Sequence, residues 1–151
     1  MAKIETLEQA QELYEFYLKH KKDIYLFIDP KDEVIKRIMC GFLPMDHPEW
    51  FADIIWIDGK IVGGVIGYIA KNLFTDTVVA REAMVYLLPE YRDTKGSVLV
   101  VKAWDNFEEW AKKSGAKFIT VDTYGEYKEH AIRKGFKETT TSFFKEYTDG
   151  E

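Results

Sequence analysis

The sequence predicts a mixed α/β chain, with a central mixed β-sheet flanked by helices. Three observations lead there. Asp58-Gly59 lies between two apolar runs and is a two-residue hairpin signal, because both residue types tolerate positive φ. Residues 78–88, 97–113 and 117–122 read as strand, amphipathic helix and strand, the order of a parallel pair joined by a crossover. Two helical patterns come before all of this, so helices, an antiparallel meander and a strand–helix–strand unit share one sheet.

Each element has a local cause. Thr6-Leu7-Glu8-Gln9 reads as a capping box, with Thr6 the N-cap and Gln9 at N3. Leu7, Ala10, Leu13, Tyr14 and Tyr17 then recur at helical spacing, which carries the first helix to about His20. Residues 24–28 form a short strand or a connector. Asp29-Pro30 opens a second helix with Pro30 in its first turn, Val34, Ile35 and Ile38 as its buried face and Gly41 at its end. Residues 51–57 form a strand and 60–70 its return, whose apolar character predicts a central position. A turn over 72–77 leads to the strand 78–88, stopped by Pro89. In the long helix Val100, Ala103, Trp104, Phe107, Trp110 and Ala111 share one stripe, and Ser114-Gly115 stops it. After the apolar strand 117–122, a short helix over 126–134 ends at Gly135, and residues 136–147 form a last strand region.

Composition bounds the partners. A chain of 151 residues predicts a single domain over residues 1–151, long enough to bury a core without disulfides or metals. The net charge is −5 with both signs interleaved, and the absence of a basic arm argues against tight non-specific nucleic-acid binding. A nucleotide-sized or RNA-end substrate stays open. The lone Cys40 excludes a disulfide framework and reads as a small buried hydrophobe. His20, His47 and His130 lack metal-ligand spacing, so no metal is expected. The N-terminus turns polar at once, and the longest apolar stretch, residues 61–70, is too short to span a bilayer. A cytoplasmic location with no membrane partner is the expectation.

The most informative stretch is Tyr86-Leu87-Leu88-Pro89-Glu90-Tyr91-Arg92-Asp93-Thr94-Lys95-Gly96-Ser97. A strand ends, a short polar loop comes next, and a long helix begins. Unpaired N–H groups and the helix dipole make such a place receptive to phosphate or pyrophosphate. Arg92 and Lys95 add charge, and Gly96 permits close backbone approach. An ordinary strand-to-helix turn with solvated charges fits the same pattern.

Pro89-Glu90-Tyr91-Arg92 between strand and helix resembles motif A of the GNAT acetyltransferase family. Arg92 fits its first position, Lys95 stands where the first Gly usually is, and Ser97 takes the place of the final Gly or Ala. Gly59-Lys60-Ile61-Val62-Gly63-Gly64 is similar to the family's preceding strand, Gly115-Ala116-Lys117-Phe118-Ile119 to the following one, and Arg133-Lys134-Gly135-Phe136 to the end of motif B. The compact layout is most similar to small acetyltransferases of phages and prophages.

The resemblance implies acetyl-CoA as cosubstrate, bound where strands 78–88 and 117–122 splay apart. Pantetheine would pair with Tyr86, Leu87 and Leu88, and pyrophosphate would rest on Arg92, Lys95, Gly96 and Ser97. An amide of Leu87 or Leu88 would stabilise the oxyanion. Glu82 is the candidate base, because an acceptor amine with pKa about 10 is protonated at neutral pH. The motif B tyrosine that protonates the thiolate is replaced by Ala131, which leaves Tyr124 or Tyr127 as candidates; departure of CoA as thiolate is the other reading. Asp46-His47-Pro48-Glu49-Trp50-Phe51 falls in a region that borders the acceptor in the family, and reads otherwise as core. The expected function is acetyl transfer to a primary amine of a small molecule or protein, with a homodimer open. Two alternatives stand beside it: a catalytically inactive CoA- or protein-binding module, and an acyltransferase acting on a modified nucleobase or RNA end.

Overall fold

The computed structural model describes residues 1–24, 31–93, 95–122 and 126–138. The chain divides into two compact units, Met1–Val121 and Asp122–Glu151.

The first unit opens with α1, Leu7–Ile24. Its capping box is formed: Gln9 N–H donates to Thr6 Oγ1 at 3.1 Å, and Thr6 N–H donates back to Gln9 Oε1 at 3.2 Å. The helix runs four residues past the expected His20. Leu13 and Tyr17 are buried, whereas Leu7 is 73% exposed, because it starts the helix outside the packed face. The second helix, α2, spans Asp32–Arg37 and passes into a π-helical turn over Ile38–Phe42. Gly41 therefore lies inside the turn and does not end the helix. Ile35 is buried but Val34 is 42% exposed, so the expected face is narrower than predicted. Asp29-Pro30 and residues 25–28 lie outside the described residues.

Strands β1, Trp50–Ile57, and β2, Lys60–Lys71, form the predicted hairpin. Asp58 and Gly59 both take positive φ, 51° and 73°, the pair required by a type I′ turn. Strand β3, Val78–Leu87, pairs antiparallel with β2. Its turn is fastened by Phe74 N–H donating to Asn72 Oδ1 at 3.0 Å. After α3, Lys95–Lys113, the short strand β4, Phe118–Thr120, returns parallel to β3. The described strands lie in the order β1-β2-β3-β4, a mixed sheet with β2 inside it as its apolar run predicted. The expected strand 117–122 is thus reduced to three residues.

Period-two alternation sorts the sheet into two faces. On one, Ile54, Ile66, Met84 and Tyr86 join Leu13 and Tyr17 of α1 and Met39 of the π turn. On the other, Phe51, Val65, Ala80 and Leu87 pack against Val100, Ala103 and Phe107 of α3. Gly67 sets how close α3 can come, since a Cβ there would collide with the Phe107 ring. That ring cannot retreat, because it is 1% exposed and packed between Phe51 and Trp110 at 5.5 and 5.9 Å.

The N-terminal segment closes the outer edge of β1. Ile54 N–H donates to the Ala2 carbonyl at 2.9 Å, and Ala2 N–H donates to Asp53 Oδ1 at 2.8 Å. Asp53 also accepts from Asn106 Nδ2 of α3 at 2.6 Å, which satisfies a carboxylate only 6% exposed.

In the second unit, α4 spans Glu126–Arg133 and ends at Gly135 with φ of 88°. Phe136 N–H donates to the Ala131 carbonyl at 3.0 Å, a Schellman-type closure. The expected strand over 136–147 falls almost wholly outside the described residues, and 136–138 are not a strand.

Gly67→Ala should destabilise the first unit by about 1–3 kcal/mol through overpacking against Phe107. A melting temperature lowered by about 3–8 °C, and partly restored by adding Phe107→Leu, is the expected result of a thermal scan. An unchanged value would mean the helix can lift off the sheet without loss.

Candidate functional site

The site begins with how β3 is paired. Its contacts with β4 are Val79↔Phe118, Ala80↔Ile119 and Arg81↔Thr120. From Glu82 to Leu87 the strand keeps β2 on one side, and the other edge has no strand partner among the described residues. The open edge is about 20 Å long at roughly 3.3 Å per residue.

The pairing with β2 slips between Ile66↔Met84 and Gly67↔Glu82, which makes Ala83 the extra residue of a bulge. Ala80 faces α3, and by alternation Glu82 faces the same way, opposite Gly67. Beyond the bulge Tyr86 points to the α1 face and Leu87 to the α3 face. Glu82 is half-buried and is the first residue past the last β3–β4 pair, at the point where the two strands part.

The two candidate oxyanion donors are separated by this geometry. Leu88 N–H donates to the Val62 carbonyl at 2.8 Å and is turned into the sheet. Neighbouring peptides alternate along a strand, so Leu87 presents its N–H and carbonyl to the open edge. Arg92 Nε reaches that same carbonyl at 3.0 Å, which places it on the open side as well.

After β3 a 3₁₀ turn over Pro89–Tyr91 leads to α3. The helix starts at Lys95, two residues earlier than predicted, and its first turn has no acidic residue. Lys95 is exposed and Ser97 half-buried, both within that turn. Gly96 is buried, and a Cβ there would stand 2.8 Å from the Tyr91 carbonyl and 3.1 Å from Leu87 Cδ1. The close approach that Gly96 permits is therefore to the chain's own turn. This seats the N-terminus of α3 beside the end of β3. The Arg92 guanidinium carbon lies 6.0 Å from the centre of the Tyr86 ring, so Arg92 lies across the end of the strand. Tyr86, Leu87, Arg92 and Gly96 meet at the end of β3, and Lys95 and Ser97 lie in the adjoining first turn of α3.

Tyr127 lies on α4 in the second unit. Tyr124 lies outside the described residues. In the Asp46–Phe51 segment, Phe51 is core while Trp50 is half-buried and stacks on Tyr68 at 5.2 Å and on Phe42 at 5.8 Å. Cys40 is half-buried at the rim of the α1-side core.

Sequence reasoning missed His20. The imidazole packs on Phe16 and Tyr86 with ring centres 4.8 and 5.8 Å apart. Burial holds its pKa below the ordinary 6.5, and Lys19 adds to this while Asp23 and Glu90 oppose it. Its position three residues before Asp23 on a helix was the only local signal. Asp53 was also missed, and its signal was a carboxylate inside an apolar strand run.

Comparison with known proteins fits this geometry. The chain is similar in structure to glucosamine-6-phosphate N-acetyltransferase from Arabidopsis thaliana, with a TM-score of 0.70, 15% identity and 97% of each chain covered. It is similar to a ribosomal-protein-alanine N-acetyltransferase from Brucella melitensis biovar Abortus 2308, with a TM-score of 0.64, 13% identity and 93% and 95% of the two chains covered. It is also similar to the aminoglycoside N-acetyltransferase AAC(6')-Iy in complex with CoA, with a TM-score of 0.65, 17% identity and 91% and 90% covered. At these identities the likeness is one of fold. No curated protein sequence matches the chain. The model of the acetyltransferase (GNAT) family matches residues 7–133, and the chain belongs to that family.

Proposed function

We propose that this chain transfers an acetyl group from acetyl-CoA to a primary amine by direct attack within a ternary complex. The observation that carries the reading is the open edge of β3 at Leu87, set beside the first turn of α3. Pantetheine amides extend the sheet along that edge, as a strand would. The pyrophosphate meets the first turn of α3, where backbone N–H groups lack helical partners, with Arg92, Lys95 and Ser97 around it. The Leu87 N–H holds the oxyanion that forms as the amine attacks. Glu82, at the parting of β3 and β4, serves the amine as base or by holding a relay water. Tyr127 or Tyr124 protonates the departing thiolate. The acceptors named for the structural neighbours, an amino sugar phosphate, aminoglycosides and a ribosomal-protein alanine, supply the first amines to try.

One observation favours a second reading, a CoA-binding module without turnover. Arg92 Nε is engaged with the Leu87 carbonyl, and Gly96 is filled against Tyr91, so part of the phosphate loop already serves the fold.

Saturating acetyl-CoA should raise the melting temperature by about 5–10 °C, since a ligand at a hundred times its Kd stabilises by about 2.7 kcal/mol. Free CoA should do the same and ATP should not. No shift with either CoA species would remove the cofactor assignment, and a shift without turnover of any panel amine would leave the binding module. Arg92→Ala should raise the KM for acetyl-CoA by about 10–100-fold, the loss of one charged hydrogen bond. An unchanged KM would take Arg92 out of the site. Glu82→Gln should lower kcat at pH 7 by about 10²-fold or more. The deficit should shrink as pH approaches the amine pKa, and a wild-type kcat at pH 7 would end the role of Glu82.

A further inference from the structure

His20 lies in the part of α1 that covers the end of β3. Its side chain is 16% exposed, and Nδ1 stands 4.0 Å from Asp23 Oδ2. The Tyr86 hydroxyl donates to the same Asp23 oxygen at 3.4 Å. Histidine, tyrosine and carboxylate therefore form one cluster at the end of β3, with Tyr86 directly before Leu87. The charged groups around the imidazole are Lys19 and Asp23 from its own helix, Glu90 from the 3₁₀ turn, and Arg92 across the Tyr86 ring.

A planar thioester is attacked from one face. Glu82 and Tyr86 lie on opposite faces of β3 because of the bulge between them, and His20 is on the Tyr86 side. An amine arriving from the α1 face meets the imidazole directly, and Glu82, on the other face where β3 and β4 part, reaches it only through a water. Resting on the acyltransferase reading above, we infer that His20 is a catalytic base whose Nε2 takes the proton of the acceptor amine, with Asp23 facing Nδ1 as its orienting group.

The amine nitrogen forms a bond to the acyl carbon, and the carbonyl π pair moves to oxygen, which the Leu87 N–H holds. The nitrogen gives its proton to His20 Nε2. The oxygen pair then re-forms the carbonyl, the C–S bond breaks, and the sulfur leaves with the bonding pair and takes its proton from the general acid proposed above. The imidazolium returns its proton to water past Asp23, whose side chain is 67% exposed. Glu82 keeps the water-holding role. Burial suits the imidazole to this task, because it stays neutral at pH 7 and so accepts a proton. A depressed folded-state pKa also means that stability present above pH 6.5 is lost as pH falls through the folded value.

The test compares wild type with His20→Gln, which keeps a polar side chain and is first checked for folding by its melting temperature. The His20 Cε1–H resonance, assigned by its loss in the variant, is titrated by NMR with and without acetyl-CoA. Expected are a midpoint below 6.5, a signal displaced by acetyl-CoA, and a slope of stability against pH between 7.5 and 5.5 that flattens in the variant. With the panel amine that is turned over, kcat/KM should lose its acid limb below pH 6.5, and kcat at pH 7.5 should fall at least tenfold with KM for acetyl-CoA within twofold. Acetyl-CoA that raises the melting temperature while leaving the His20 signal unmoved overturns this role alone, as does an acid limb that persists in His20→Gln. Acetyl-CoA that fails to bind overturns the acyltransferase reading, and the base with it.

Discussion

The pairing of β2 with β3, including one extra residue at Ala83, governs which groups reach the site and from which side. A one-residue slip in a strand exchanges the faces of every later side chain. Before the slip Ala80 and Glu82 look toward α3. After it Tyr86 looks toward α1 and Leu87 toward α3. The same slip settles which peptides turn outward, so that Leu88 donates to Val62 and Leu87 is left facing the open edge. Without the bulge Glu82 and Tyr86 would share one face of β3, and a different set of peptides would face the open edge.

The long helix depends on two missing side chains. Gly67 lets the Phe107 ring come close to β2, and Gly96 lets the first turn of α3 approach the Tyr91 carbonyl. Between them they bring the helix close to the sheet and set its N-terminus beside the end of β3. The stripe of Val100, Ala103, Trp104 and Phe107 supplies the burial, at about 1.5–3 kcal/mol for each large side chain. Electrostatics at the site is thus a product of packing. The dipole of α3 points where it does because glycines allow the fit.

The site combines backbone and side-chain chemistry in unequal parts. The open edge and the helix turn ask little of residue identity, which fits a family whose structural neighbours share only 13–17% identity with this chain. The proton carriers proposed here are side chains, and these differ in where the fold places them. Glu82 comes from the sheet and His20 from the first helix, and they sit on opposite faces of one strand. On the α1 side, half-buried Trp50, Tyr68 and Phe42 stack in a row.

Local chemistry was legible in the sequence alone. Thr6 and Gln9 wrote the start of α1, Asp58-Gly59 wrote the hairpin, and the helical stripe from Val100 to Ala111 wrote α3, because each depends on neighbours within a few residues. The order of those elements, with Arg92 after a strand, was enough to identify the family. The tertiary structure alone decided the rest. The length of β4, the bulge at Ala83, the turning of Leu88 into the sheet and the exposure of Val34 arise from contacts between segments far apart in the chain. His20 shows this most clearly. Nothing near it in sequence names a partner except Asp23, yet folding brings it against Tyr86, 66 residues on, and burial there lowers its pKa. Periodicity reports which side of a helix is apolar, but only the packed sheet determines what that side touches.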